Sequence, residues 1–170
     1  MVAEEKAQLD YVKLAAELAP VIKLNSDRIN IERQIPTDIA EDLADRDFFR
    51  LLLPKPLGGL ELDHSMFLDI LEIIAEADTS VAWLLNQNNV WSTASTRMPE
   101  VTAKEIWKDQ RAVVTNGPPS STCKAVPTQE GHILEGRWSL SSGCTHATWI
   151  AALCPISTPD GSKLISTERK

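Results

Sequence analysis

Apolar residues recur at helical spacing from the start of the chain: Leu9, Val12, Leu14, Ala15, Leu18, Val21, Ile22 and then Ile29. Pro20 falls inside that pattern and predicts a kink or a split, because proline removes a helix hydrogen bond. Pro36 opens a new helix with Thr37 and Asp38 in its first turn and Ile39, Ala40, Leu43 and Ala44 as its stripe. A dense apolar block, Phe48, Phe49 and Leu51 to Leu53, is closed by Pro54-Lys55-Pro56 and a Gly58-Gly59 turn. Asp63 or Ser65 caps the next helix, whose face is Met66, Phe67, Ile70, Leu71, Ile74 and Ala75. Thr79-Ser80 caps another, carrying Val81, Leu84, Leu85, Asn88, Trp91 and Ser92 towards Met98-Pro99. A short amphipathic helix with Ile106 and Trp107 begins at Thr102. Helices so closely spaced are expected to pack as a bundle.

The period changes at Gln110. Ala112 to Thr115, Cys123 to Val126, Ile133 to Ser141 and Ala147 to Ile156 read as strands. Glu130-Gly131 reads as a hairpin turn, and Pro159-Asp160-Gly161-Ser162 as a later one. The expected architecture is therefore α+β: an all-helical domain over 1–111, then the start of an antiparallel, barrel-like β domain over 112–170. Three or four strands leave open edges, so the chain is expected to be short for its fold.

Composition adds exclusions. The chain has 170 residues, 43% hydrophobic and 24% charged, in the soluble globular range. Its formal charge of −7, concentrated before Asn116, argues against nucleic-acid binding through a positive field. Cys123, Cys144 and Cys154 show no CxxC spacing; they predict reduced thiols, no metal site and a cytoplasmic protein. The polar, acidic N-terminus lacks a signal-peptide pattern, and no apolar run predicts a membrane span. Five tryptophans are expected to pin interfaces or pocket walls.

Particular motifs carry a resemblance. They are Phe49-Arg50-Leu51-Leu52-Leu53-Pro54 with Gly58-Gly59, and Ala75 through Trp83 (AEADTSVAW). After the change of period come Thr115-Asn116-Gly117, Gly136-Arg137-Trp138, Ser142-Gly143 and His146-Ala147-Thr148-Trp149. In this order the chain resembles the acyl-CoA dehydrogenase superfamily, and the last group is more similar to its flavin-dependent monooxygenase branch. The resemblance implies an N-terminal helical domain, a middle β domain and a C-terminal four-helix bundle, usually in a homotetramer. By that likeness the bundle is absent here, and with it the catalytic base, so no catalytic residue is named and the chain alone is expected to be inactive.

The resemblance also implies a flavin, FAD or FMN, bound at two strand ends: Val114, Thr115 and Asn116 on one, Ser141 and Ser142 on the other. Ser121 aligns with a serine that touches cofactor phosphate. Small hydroxyls suit the ring's N5 and O2/O4 edges, which need hydrogen-bond partners that do not crowd its face. Asn88, Asn89 and Trp91 lie on the helix that borders the substrate pocket in this family. His146, beside a turn, is expected to be capped or solvent-facing rather than a general base, and Trp138 to be a packing anchor. Three functions stay open. One is the oxygenase component of a two-component monooxygenase, with a flavin reductase partner and a small-molecule substrate. The others are an FAD-dependent acyl-CoA dehydrogenase and a non-catalytic truncated member.

Overall fold

The structure, a computed structural model, describes residues 2–158, with side chains from residue 11 onward. Six α-helices precede four short strands among the described residues: α1 Val2–Leu24, α2 Ser26–Glu32, α3 Thr37–Asp45, α4 His64–Ala77, α5 Thr79–Ser92 and α6 Glu100–Ile106, then β1 Val114–Gly117, β2 Lys124–Pro127, β3 His132–Glu135 and β4 Trp149–Ala152. The fold is α+β, as its change of period predicts. Leu9 (its side chain) and the Pro159–Ser162 turn lie outside the described residues.

Backbone contacts divide the described residues into two units, residues 2–115 with 142–149, and residues 116–141 with 150–158. The return segment Ser142–Trp149 thus belongs with the helices, although sequence order places it after three strands.

In the helical unit, α4 packs on both α1 and α5. Spacing explains the packing: Phe67, Ile70, Ile74 and Ala77 are the buried line of α4, and Ala15, Leu18 and Ile22 that of α1. Val21 is exposed instead of completing the α1 face. Pro20 does not end its helix; α1 runs to Leu24, and the break comes at Asn25, whose Nδ2 donates to Val21 O at 2.9 Å. The α5 N-cap is Asp78 rather than Thr79-Ser80: its carboxylate accepts from Ser80 N (2.8 Å) and Val81 N (3.3 Å). The helix ends at Ser92 and tightens into a last turn over Thr93–Arg97.

α5 is buried over a wide arc because it has two neighbours, α4 and the Phe48–Leu53 segment. That segment folds back on itself, with Leu62 N donating to Leu51 O (2.8 Å) and Glu61 N to Leu53 O (3.1 Å). Gly59 is needed at the crossing, since a Cβ there would stand 1.9 Å from Leu53 O.

The largest fully buried side chain is Arg50. Its Nε donates to Gln110 O (2.8 Å), its Nη1 to Leu57 O (3.1 Å) and Gly58 O (3.3 Å), and its Nη2 to Trp107 O (2.8 Å) and Asp109 O. Burial pushes this guanidinium below its ordinary value, against the pull of Asp47 and Asp109. Arg50 joins the turn before α4 to the chain leaving α6.

In the second unit, β2 and β3 form an antiparallel hairpin with Ala125 opposite Leu134 and Pro127 opposite His132. Thr128 N donates to Gly131 O (2.8 Å), closing the turn that Glu130-Gly131 predicts. The strands are shorter than their alternating patterns imply: β3 stops at Glu135, and Gly136, at φ +151, leads the chain past Cys123. Trp138 packs its Cβ against Gly117 and donates from Nε1 to Leu153 O at 2.9 Å, so it is a packing anchor. β1 pairs with β4 in a separate two-stranded sheet.

Candidate flavin-facing site

Within the helical unit, the residues expected at the first strand end meet the return segment. Thr115, 2% exposed, donates from Oγ1 to Ser142 O at 2.5 Å. At the far end of the segment, Thr148 N and Trp149 N donate to Val113 O (2.9 and 3.2 Å), and Thr148 Oγ1 accepts from Val113 N (3.1 Å). The segment is therefore clasped at both ends to the strand that starts β1.

Its middle is held as firmly. Gly143 sits at φ +79, and a Cβ there would lie 2.1 Å from Leu84 Cδ1, so the turn rests directly on α5. His146 N donates to Gly143 O (3.0 Å), and its Nε2 donates to Ile35 O (2.7 Å). A ring nitrogen spent on a backbone carbonyl makes His146 a tie between the segment and the loop before α3. That agrees with its expected capped role.

Ser142 is held in place by these ties. It is half-buried, its carbonyl is taken by Thr115, and its Oγ accepts from Trp83 Nε1 at 3.0 Å. A hydroxyl has one donor and two acceptor lone pairs. Among the described residues no acceptor takes the Ser142 O–H, so this side chain presents a hydrogen-bond donor and a spare lone pair from a fixed backbone.

The other expected site residues are distributed as follows. Val114 is buried with Leu53, Ala103, Trp107 and Ala112, and its carbonyl accepts from Asn88 Nδ2 at 2.7 Å. Asn116 and Ser141 are half-buried and fall in the second unit, each adjacent in the chain to Thr115 or Ser142. Ser121 is exposed on the turn before β2, beside Ser120, whose Oγ donates to Arg137 O at 3.1 Å. Asn88 is buried, with Oδ1 left without a partner. Asn89 is fully buried and spent on the backbone: Nδ2 donates to Phe48 O (2.8 Å) and Leu85 O (2.9 Å), and Oδ1 accepts from Leu52 N (3.2 Å). That side chain holds α5 to the Phe48–Leu53 segment, which gives it a structural role rather than a place in a pocket. Trp91 is half-buried.

Sequence reasoning missed the role of Trp83, which is 55% exposed yet anchored on Ser142. It also missed Arg50. An isolated arginine in an apolar block, FFRLLLP, is the signal that could have marked it, since a charge in such company must find partners inside. No cluster of three or more His, Cys, Asp or Glu able to hold a metal occurs among the described residues. No helix among them is long and apolar enough to cross a membrane.

Comparisons with known proteins agree on one lineage. Residues 7–107 match the family model described as acyl-CoA dehydrogenase, N-terminal domain. The oxygenase subunit HsaA of a flavin-dependent monooxygenase from Mycobacterium tuberculosis is 26% identical over 139 residues, 82% of this chain and 35% of that protein. Indole-3-acetate monooxygenase from Acinetobacter baumannii is 34% identical over 113 residues, covering 66% of this chain and 29% of that protein. The solved structure of XiaF from Streptomyces sp., in complex with FADH2 and glycerol, superposes with a TM-score of 0.88. It covers 96% of this chain and 41% of that one, and at 20% identity the likeness is one of fold. The chain spans about a third of the length of the curated relatives it matches. With a family match that spans residues 7–107, more than half of the chain, the chain belongs to the acyl-CoA dehydrogenase N-terminal domain family.

Proposed function

We propose that this chain is the flavin-facing N-terminal part of the oxygenase component of a two-component, flavin-dependent monooxygenase. In this reading a separate reductase would supply reduced flavin, and the chemistry the flavin would bring is that of the two-electron reductant for dioxygen, one oxygen atom going to a small organic substrate and the other leaving as water. The observation that carries it is the Ser142 hydroxyl, a donor without an acceptor among the described residues, on a segment tied at Ser142 O, Gly143, His146 and Thr148. The relatives' monooxygenase names support the branch.

The residues present fit a flavin ring edge. Ser142 Oγ would meet it directly, with Asn116 and Ser141 flanking by chain adjacency. Buried Thr115 would act by fixing the Ser142 carbonyl, Val114 by carrying β1, and exposed Ser121 by reaching the cofactor phosphate. Asn88, with an uncommitted Oδ1, and Trp91 remain the candidates for the substrate side. We place the protein in the cytoplasm, supported by three free thiols, and as a homotetramer, supported by the family likeness.

The test is purification followed by two additions. The proposal expects a preparation without bound yellow flavin that takes up reduced FMN or FAD anaerobically. A preparation that carries tightly bound FAD and is bleached by an acyl-CoA thioester would replace it with the dehydrogenase reading.

A further inference from the structure

Trp83 stands one turn into α5 and leaves more than half its surface exposed, beside an apolar hollow that it lines with Leu68, Leu71, Ala75 and Ala82. Its single polar group is nevertheless spent on one partner: Nε1–H donates to Ser142 Oγ at 3.0 Å. Indole nitrogen is a donor only, so this bond settles the polarity of the serine. Ser142 Oγ must accept from Trp83, and its own proton is turned away from α5. The backbone on either side is held by Thr115 Oγ1 and by the Gly143–Leu84 contact, which leaves the serine side-chain torsions for Trp83 to set.

We infer that Trp83 is a positioning residue that sets the direction of the Ser142 hydroxyl towards the bound flavin ring. The inference rests on the flavin reading proposed above. Trp83 touches the serine and acts through it. Accepting one hydrogen bond also strengthens the serine as a donor in the next. Without the indole, the hydroxyl samples several rotamers and meets the ring edge only part of the time.

The experiment is anaerobic equilibrium binding of reduced FMN and FAD by the whole chain as wild type, Trp83→Phe, Ser142→Ala and the double variant. Losing one oriented hydrogen bond should weaken binding about fivefold for Trp83→Phe in the wild-type background. It should cost nothing more in the Ser142→Ala background, because the group through which Trp83 acts is gone. A second measurement needs no change at Trp83. The indole N–H resonance of Trp83 should shift in Ser142→Ala and again when flavin is added to wild type. Equal binding by wild type and Trp83→Phe overturns the inference, as does a loss that carries over undiminished into Ser142→Ala. Wild type that binds neither flavin overturns the flavin reading itself, and this inference with it.

Discussion

Replacing Arg50 by methionine removes a buried cation that touches five backbone carbonyls and no carboxylate. Those carbonyls belong to two stretches, Leu57-Gly58 and the chain from Trp107 to Gln110. The bonds to Gln110 O and Trp107 O, both 2.8 Å, are the well-formed ones. With a charged donor each is worth about 1.5–2 kcal/mol net, while water can partly refill the weaker contacts at Leu57 and Gly58. The desolvation that pushes the guanidinium below its ordinary value works the other way and keeps the total from rising further. The expected loss is therefore about 3–4 kcal/mol, a large part of a typical domain's stability. Arg50→Lys keeps the charge but has no planar fork with which to reach both stretches, and should lose about half as much. Urea unfolding followed by tryptophan fluorescence measures both. A loss below about 1 kcal/mol for Arg50→Met would refute the reasoning, since it would mean that those carbonyls are satisfied without the side chain.

Other expectations follow from the same contacts. Asn89→Leu deletes three buried hydrogen bonds, two of them between α5 and the Phe48–Leu53 segment and one within α5, and should cost about 2–4 kcal/mol in the same unfolding assay. Gly143→Ala forces a side chain into positive φ and against Leu84, and should lower stability by about 1–2 kcal/mol while displacing Ser142, read as a shifted Trp83 indole resonance. Tyr11, the chain's one tyrosine, packs edge-on against Phe48 with ring centroids 6.0 Å apart; burial first, and then the charge of Asp47, push its hydroxyl up to about 12. The unfolded chain ionises from pH 10 and the folded one only near pH 12, so between those values the unfolded state holds fewer protons and stability falls as pH rises. Tyrosinate absorbance of the folded protein should titrate near pH 12, and Tyr11→Phe should flatten the alkaline loss; a midpoint at the ordinary value of 10 would contradict this.

Most of the helical unit was legible because its faces are written in regular spacing. The α4 stripe from Phe67 to Ala77 and the α3 stripe from Ile39 to Ala44 are simple periodic patterns. Pro20 misled because a proline costs a helix one bond, and in α1 the packing of Ala15, Leu18 and Ile22 outweighs that loss. Asp78, adjacent to the predicted cap, won that place because its carboxylate reaches two amides. The two strand ends at Thr115 and Ser142 were readable only through the family resemblance. Nothing in local spacing says that Ser142 to Trp149 returns to the helices, since the ties that bring it there, to Val113, Ile35 and Leu84, are all long-range. Asn89 was misplaced for a related reason. An amide on a helix face looks the same in sequence whether it meets a ligand or the backbone of Phe48.

Whether Ser142 faces a flavin can be read from nuclear magnetic resonance of the isotopically labelled chain titrated with FMN. Amide shifts should concentrate at Val114 to Gly117 and Ser141 to Cys144, together with the Trp83 indole N–H, and Ser142→Ala should abolish the indole response. Shifts concentrated instead on another surface, such as the hollow lined by Leu68, Leu71 and Ala75, or no shifts at all, would contradict a flavin-facing Ser142.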